Sequence, residues 1–403
     1  MNVVKIQKKE CSSNLDFLRF VPYYLLTNPM KLTLHAASSN SAHRTHDVVI
    51  QRGLLNRLPR IILRKWPGRH IFIITDWSVQ RIYGRRLLRG FSALDANASL
   101  LDVPAGERSK TPKTVYALQT QLLRLGVDRN SVIVALGGGV IGDLAGYVAA
   151  TILRGIDYLH VPTTLLAQVD SSIGGKVGVD HPLGKNLIGA FYQPATVCID
   201  PDLLKTLPVS EFKNGLAEVV KIAAALDRRL FSQVERNARK ITKGNPDIVH
   251  DMIVRSVKLK ASVVERDPFE SGLRKVLNLG HTIGHAVEAA SGYDIKHGAA
   301  VSIGLATESR IAMEMGLLSG KDYARLIGLL TKLKLPLTLP RRLNKARFMT
   351  ARSLDKKSEA GGTKFVLLKA IGHTVIGVDV PTPFIEAVFS ERLNPQSTIP
   401  NPQ

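Results

Sequence analysis

Short apolar runs, each followed by an amphipathic segment, recur along residues 48–208 of this chain. Three such runs occupy residues 69–76, 131–136 and 158–162. Their apolar residues are consecutive rather than alternating, which suits strands that are covered on both faces. Because parallel strands need helical crossovers between them, the alternation predicts an α/β domain with a mostly parallel sheet.

The pattern changes after residue 208, where apolar residues recur at helical spacing. Helices are predicted at 211–226, 246–264, 281–290, 299–315 and 322–333, whereas strand patterns return only at 364–369 and 373–378. We therefore expect a predominantly α-helical domain over residues 209–393. Residues 1–47 are expected to be a basic extension, either disordered or an organelle transit peptide. Residues 394–403 are expected to be a disordered tail. Met30 is an alternative start of translation.

Composition excludes several classes of protein. The 403 residues are 45% hydrophobic, too apolar for a disordered chain. No uninterrupted apolar stretch reaches the roughly 18 residues that a membrane span requires. Cys11 and Cys198 are too few for a disulfide framework or a multi-cysteine zinc site. These features favour a cytoplasmic location with no membrane partner.

The charge is strongly basic, with 55 Lys and Arg against 33 Asp and Glu, a formal net charge of +22. Residues 1–110 hold 18 cationic and 7 anionic side chains, so half of the excess lies in about a quarter of the chain. Such a charge favours anionic ligands. No compact basic run is interleaved with aromatic residues, so the sequence does not favour a nucleic-acid partner.

A glycine-rich turn follows the apolar run 131–136. Gly137, Gly138 and Gly139 lead into a helix of small residues, where bare backbone and the free N–H groups of a helix start can bind a phosphate. Lys176, beside a second glycine turn, and Lys185 could add positive charge. The pattern indicates a nucleotide-binding turn, and a tight strand-to-helix corner is the alternative.

Histidines are concentrated in one segment of the predicted helical domain. His281 and His285 are four residues apart and share one face of a helix, with His297 downstream. Thr282 stands where the helical metalloprotease motif has Glu, which excludes that class of zinc protease. The cluster indicates a metal site or a proton-transfer site.

A carboxylate would complete a metal site, and Glu218 is conspicuous on an apolar helix. Catalytic zinc usually takes three protein ligands and keeps one position open. The alternative for Glu218 is a buried ion pair with Lys221. Spacing alone does not decide whether His281 acts with His297 or with His285.

In their order along the chain, these motifs resemble those of the 3-dehydroquinate synthases, a family of sugar phosphate cyclases. The similarity extends from about residue 50 to about 380 and excludes both ends. Three positions depart from the usual family pattern: Ser78, Val177 and Pro268. The matching segments are 104–110, 137–147, Arg154, 162–176, 184–191, 215–221, 260–267, 274–288, 297–298 and 355–357.

The resemblance implies an NAD-binding, Rossmann-like α/β domain at 48–208, a helical metal- and substrate-binding domain at 209–393, and an active site in the cleft between them. It implies conversion of 3-deoxy-D-arabino-heptulosonate 7-phosphate to 3-dehydroquinate and phosphate in the shikimate pathway. The implied steps are transient oxidation by NAD, elimination of phosphate, reduction and an intramolecular aldol reaction, as in a carbon–oxygen lyase. A homodimer is also implied.

The resemblance also implies roles for individual residues. A divalent metal, Zn2+ or Co2+, would be held by Glu218, His281 and His297, which leaves His285 free for proton transfer. NAD contacts are implied at Asp76, Ala105, Gly106, Glu107, Arg108, Ser109, Lys110, Gly138, Gly139, Val140, Ile141, Gly142, Asp143, Thr163, Thr164, Lys176, Lys185, Leu203, Leu204, Lys205, Thr206 and Glu211. Contacts with the anionic sugar phosphate are implied at Arg154, Asp170, Lys176, Asn186, Lys221, Lys260, Arg274, Asn278, His285 and Lys356.

Three other interpretations stay open at this point. The first is a cyclase of the 2-epi-5-epi-valiolone or 2-deoxy-scyllo-inosose synthase type, which would take a different sugar phosphate. The second is a metal-dependent alcohol or glycerol dehydrogenase, which would accumulate NADH. The third is a nucleic-acid-binding protein that carries an inactive enzyme fold.

Overall fold

The computed structural model describes residues 30–38, 41–340, 343–355 and 364–387. The chain divides into two compact units, Met1–Leu207 and Pro208–Gln403, next to the predicted boundary at residue 208. Among the described residues, no helix combines the length and the apolar character that crossing a membrane would require.

The first unit contains a seven-stranded sheet in the order β1-β2-β9-β6-β5-β3-β4. Its strands pair in parallel except for β1 and β2, which are antiparallel, so the predicted mostly parallel sheet is confirmed. A separate antiparallel hairpin is formed by β7 and β8. The strands are β1 Met30–Ser38, β2 Ser41–Ile50, β3 Ile71–Asp76, β4 Ala98–Val103, β5 Val132–Gly137, β6 Asp157–Pro162, β7 Lys176–His181, β8 Gly184–Phe191 and β9 Thr196–Ile199.

The central strands are buried on both faces, as their continuous apolar sequences predict. Side chains alternate along a strand, so Ile71 and Ile73 pack into one apolar cluster while Phe72 and Ile74 pack into another. Helices cover both faces of the sheet. They are α1 Leu58–Lys65, α2 Trp77–Val79, α3 Arg85–Ser92, α4 Pro112–Arg124 and α5 Gly139–Thr151.

The expectation that residues 1–47 form an extension outside the folded domains is wrong for the described part of that segment. Strand β1 pairs with β2, and Asp47 to Ile50 of β2 pair in parallel with β9. Leu34 is fully buried, so β1 contributes to the core of the first unit. Scattered Ser and Asn residues hide this strand pattern in the sequence. Residues 1–29 and the predicted tail 394–403 lie outside the described residues.

The second unit is predominantly helical, as predicted, and the strand pair β10 and β11 forms a hairpin where strand patterns return. Helix α7 is absent from the predicted set, because its many arginines mask the apolar face that it buries. The elements are α6 Val209–Leu226, α7 Arg228–Thr242, α8 Pro246–Arg266, α9 His281–Ala290, α10 His297–Glu314, α11 Gly320–Lys332, α12 Lys345–Asp355, β10 Lys364–Ala370, β11 His373–Asp379 and α13 Thr382–Ala387.

Helices α9 and α10 cross at very short range. A Cβ atom on Gly304 would lie 1.9 Å from the carbonyl oxygen of Gly280, and one on Gly284 would lie 3.2 Å from that of Ala300. Helix α10 is buried along most of its length. Glycine therefore allows the helix that begins with His281 to pack directly on the helix that begins with His297.

Candidate active site

Three helices of the second unit bring one carboxylate and two imidazoles together. Glu218, fully buried on α6, directs its Oε1 towards His281 Nε2 at 3.7 Å and His297 Nε2 at 3.1 Å. One ligand atom from each of the three residues lies within 4.8 Å of the others. Neutral imidazole and carboxylate are ligands that zinc accepts in catalytic sites, so this donor set fits a divalent metal.

The electrostatics of the cluster suit a cation. Burial opposes ionisation of Glu218, but Lys221 and the two histidines hold the pKa of that carboxyl well below its usual range. Burial, reinforced by Lys221, lowers the pKa of His281 to about 3, so its imidazole is neutral. His297 faces both Glu218 and Glu288, which raise its pKa to about 10 against the effect of burial. A bound cation would take the place of that proton.

Lys221 pairs with Glu218 at 2.6 Å, so the ion pair given above as an alternative exists beside the histidines. His285 is exposed, and its ring centroid lies 5.1 Å from that of His281 and 6.2 Å from that of His297. His285, Glu288 and His297 form a second group with ligand atoms within 4.8 Å. All the histidines that the sequence singled out therefore cluster together.

The start of α9 is held by a side chain from α10. Glu308 is fully buried, and its Oε2 accepts a hydrogen bond from Gly280 N at 2.6 Å and its Oε1 from Ile283 N at 2.9 Å. Burial raises the pKa of Glu308 to about 8, although the backbone donors act in the opposite direction. The N-cap residue of α9 is Gly280, in the left-handed conformation, and it has no side chain that could cap the helix itself.

Part of the predicted substrate set lies near the end of α8 and the turn Leu273–Asn278. Lys260 and Arg274 are both buried, and Arg274 donates to the Pro268 carbonyl at 2.6 Å. Asn278 donates to Glu270 Oε1 at 2.9 Å. Lys356 lies outside the described residues.

The glycine-rich turn joins β5 to α5, as predicted. Helix α5 begins after Gly138, which has no side chain that could cap its first N–H groups. A Cβ atom on Gly138 would lie 3.0 Å from Thr164 Cγ2, and one on Gly142 would lie 2.1 Å from Cε1 of the buried His160. Glycine at these positions therefore allows the turn to pack closely on Thr164 and His160, and the start of α5 offers backbone N–H groups that suit a phosphate.

Several of the predicted nucleotide contacts are linked to one another. The buried Lys110 Nζ lies 2.6 Å from Asp143 Oδ2 and 2.5 Å from Asn186 Oδ1, which ties α5 to the β7–β8 hairpin. Asp143 overcomes the desolvation of Lys110 and raises its pKa. Lys185 Nζ lies 3.7 Å from Glu107 Oε1.

Other predicted residues have structural contacts of their own. Asp76 Oδ1 accepts from the backbone N–H groups of Ser78 and Val79 and caps the turn after β3. The Leu203 side chain is buried in the core, and its carbonyl accepts from Tyr83 Oη at 3.1 Å. Glu211, in the second unit, pairs with Lys296 at 2.6 Å.

Arg154, a predicted substrate contact, lies beyond the C-terminal end of α5. It follows α5 at the opposite end from Gly138, about 20 Å away for a helix of 13 residues. Leu153 and Arg154 both have positive φ, 49° and 66°, ahead of Gly155. Asp170 lies in the turn Ala167–Ser171, and Lys176 begins β7.

Two acidic residues beside the histidines, Glu288 and Glu308, have no role predicted from the sequence. Glu288 lies seven residues after His281, on the same face of α9, so helical spacing could have revealed it. Glu308 contacts α9 because α10 packs against that helix, and no local sequence pattern around Glu308 predicts this contact.

Comparison with protein families gives two matches that together span residues 100–358. The family model for the 3-dehydroquinate synthase N-terminal region matches residues 100–214, and that for its C-terminal region matches residues 215–358. The 3-dehydroquinate synthase of Pelobacter propionicus is 43% identical over 338 residues, 84% of this chain and 94% of the relative. That of a Synechococcus strain is 45% identical over 331 residues, covering 81% and 90%.

Solved structures share the fold over most of the chain. A 2-epi-5-epi-valiolone synthase from Streptomyces hygroscopicus, with NAD+ and Zn2+ bound, has a TM-score of 0.81 and 29% identity, covering 87% of this chain and 98% of its own. A 2-deoxy-scyllo-inosose synthase with carbaglucose-6-phosphate, NAD+ and Co2+ has a TM-score of 0.77 and 28% identity, covering 89% and 99%.

Proposed function

This chain belongs to the 3-dehydroquinate synthase family, and we propose that it converts 3-deoxy-D-arabino-heptulosonate 7-phosphate to 3-dehydroquinate and inorganic phosphate. The reaction class is a phosphate-eliminating carbon–oxygen lyase. The observation that carries the proposal is the convergence of His281 Nε2 and His297 Nε2 on one buried oxygen of Glu218. Identities of 43% and 45% to dehydroquinate synthases, against 29% and 28% to the two solved cyclases, favour this substrate over theirs.

Glu218, His281 and His297 would hold a divalent metal, Zn2+ or Co2+. When bound, such an ion polarises a substrate hydroxyl or carbonyl as a Lewis acid. The protein contributes the buried Glu218 carboxylate, which is already ionised, and the His281 imidazole, which is already neutral. Neither of these two ligands has to lose a proton when the metal binds. Lys221, 2.6 Å from Glu218, keeps the buried carboxylate paired.

The first unit would bind NAD at the glycine-rich turn. When bound, this cofactor supplies a reversible hydride acceptor, so that the substrate is oxidised and reduced again within one turnover. The protein contributes the backbone N–H groups at the start of α5 for the phosphates, and glycine at position 138 lets this turn pack closely on Thr164. Lys110 and Asp143, which pair at 2.6 Å, fix the turn against the hairpin.

Cationic side chains would bind the substrate carboxylate and phosphate. Lys260 and Arg274 are buried, and charge–charge attraction is stronger there than in water. The exposed His285, next to the two histidine ligands, would move protons near neutral pH. Further contacts are proposed at Arg154, Asp170, Lys176, Asn186, Lys221, Asn278 and Lys356.

Phosphate release from the heptulosonate phosphate, with NAD and zinc present, tests this function. We expect turnover by the wild type, and a loss of about 100-fold or more in His281→Ala, because a metal ligand is removed. The matched control is His373→Ala on the exposed start of β11, which should retain wild-type turnover.

Two further readouts separate the alternatives. A cyclase regenerates its NAD in every turnover, so the absorbance of NADH should not rise during the reaction. A dehydrogenase would accumulate NADH, and the absorbance would rise. Sedoheptulose 7-phosphate should release no phosphate with this enzyme. Equal turnover in the wild type and His281→Ala, or preference for sedoheptulose 7-phosphate, would contradict the proposal.

A further inference from the structure

The two histidines of the proposed metal site are held on their outer sides by different partners. His281 Nδ1 lies 3.1 Å from the carbonyl oxygen of Leu279, and His297 Nδ1 lies 3.1 Å from Glu288 Oε2. A carbonyl and an ionised carboxylate only accept hydrogen bonds, so each Nδ1 must carry the proton. Each Nε2 is then the nitrogen that faces Glu218 and would ligate the metal.

We propose that Glu288 is a positioning residue that fixes the tautomer and the ring orientation of His297 for metal binding. This inference rests on the proposed function only in taking Glu218, His281 and His297 as the metal ligands. Carboxylate–histidine–metal arrangements of this kind orient the ring and increase the basicity of the ligating nitrogen. Glu288 acts through its hydrogen bond with His297.

The fold explains why His297 needs such a partner. It is the first residue of α10, so it is flanked by helix on one side only, and its side chain is oriented by what it touches. Glu288 lies on α9, on the same face as His281, two helical turns later. One face of α9 therefore provides one ligand directly and orients the other.

The burial of Glu288 indicates that this hydrogen bond matters. The residue is 2% exposed, and an ionised carboxylate at such depth is unfavourable unless hydrogen bonds or charges compensate it. The glutamine variant keeps the size of the side chain but loses the charge, and its amide can also donate. The histidine could then adopt the other tautomer, with its proton on Nε2, which cannot bind a metal.

The competing interpretation is a second cation bound by His285, Glu288 and His297, whose ligand atoms also lie within 4.8 Å of one another. In that arrangement Glu288 would be a metal ligand. The number of metal ions per chain distinguishes the two interpretations, because the positioning role requires one ion and the second site requires two.

The test measures metal binding without substrate. The full-length protein is freed of metal with a chelator, and its zinc affinity and stoichiometry are determined by competition with a chromophoric chelator. We expect Glu288→Gln to bind one zinc ion with roughly 10- to 100-fold lower affinity than the wild type. The visible bands of the cobalt-loaded protein should also shift, which a purely structural role would not cause.

Two variants serve as controls. Glu235→Gln removes a partly buried carboxylate that pairs with Arg325 at 2.7 Å, away from the histidines, and should bind zinc as the wild type does. Glu288→Asp keeps the charge but withdraws it by one methylene, so it should also weaken zinc binding. It serves as the test variant if Glu288→Gln does not fold. An unchanged zinc affinity and cobalt spectrum in the Glu288 variants, or two zinc ions per wild-type chain, would overturn the proposal. Wild-type protein that binds zinc but releases no phosphate would instead contradict the proposed function alone.

Discussion

At the scale of single residues, Gly142 has the least room within the glycine-rich turn. The nearest atom to a Cβ there would be Cε1 of His160, at 2.1 Å, and that ring is buried on β6 under the turn. Burial also lowers the pKa of His160 to about 4, so the ring is neutral at the pH of most assays. Neither the added methyl group nor the His160 ring can move away without displacing α5 from the sheet.

Gly142→Ala should therefore destabilise the protein and weaken nucleotide binding. We expect a loss of about 1–3 kcal/mol in the free energy of unfolding, typical of overpacking in a core. Urea denaturation gives the stability, and titration of NAD gives the affinity. The affinity should fall because the start of α5, where we propose that the phosphates bind, shifts with the side chain.

Gly328→Ala is the matched control, since Gly328 lies within α11 and a Cβ atom added there would have no neighbour within 4 Å. That substitution should stabilise the protein by roughly 0.5–1 kcal/mol, the difference in helix propensity. A Gly142→Ala protein as stable as the wild type would show that the turn can adjust.

At the scale of elements, the helix that starts with His281 depends on another helix. Glu308 of α10 accepts hydrogen bonds from the first N–H groups of α9, with Gly280 supplying no side-chain cap. Its pKa of about 8 in the folded protein exceeds the usual value of 4.5. Between these values the unfolded chain has lost the proton while the folded protein retains it, so this group reduces stability as the pH rises from about 5 to 8.

Glu308→Gln should remove that part of the pH dependence. The wild type should lose about 2–5 kcal/mol of unfolding free energy between pH 5 and pH 8 relative to the variant, when both are metal-free. Chemical denaturation at the two pH values measures the difference. Glu314→Gln, on the same helix but partly exposed and paired with Arg310 at 2.5 Å, should follow the wild type. Parallel pH profiles for wild type and Glu308→Gln would refute this.

Elements with a strong local pattern were predictable from the sequence. The limits of α9, His281–Ala290, match the prediction, and β5 and β6 differ from it by one residue at their ends. Strand β1 was missed because its place in the sheet depends on pairing with β2. Spacing also left the choice of histidine partner open, since a six-residue connection separates α9 from α10. Glu288 and Glu308 act across that helix pair, which only tertiary packing establishes.

At the scale of the whole molecule, the charge of +22 bears on the rate of encounter with substrate. The proposed substrate carries a carboxylate and a phosphate, and a positive field accelerates the association of such anions. The positive charge alone does not indicate that the protein binds nucleic acid, because it would attract any polyanion. Its consequence for catalysis is nevertheless measurable.

We expect kcat/KM for the heptulosonate phosphate to fall roughly tenfold as monovalent salt rises from about 0.02 M to 0.3 M, because the Debye length shortens from about 20 Å to below 8 Å. The value of kcat should change little, since a bound substrate is held by short-range contacts that salt screens weakly. Steady-state kinetics at fixed NAD and zinc give both parameters, and sodium chloride and potassium acetate should act alike. A parallel fall in kcat would locate the effect of salt within the bound complex, and an unchanged kcat/KM would mean that the positive charge is spread over the surface without steering the substrate.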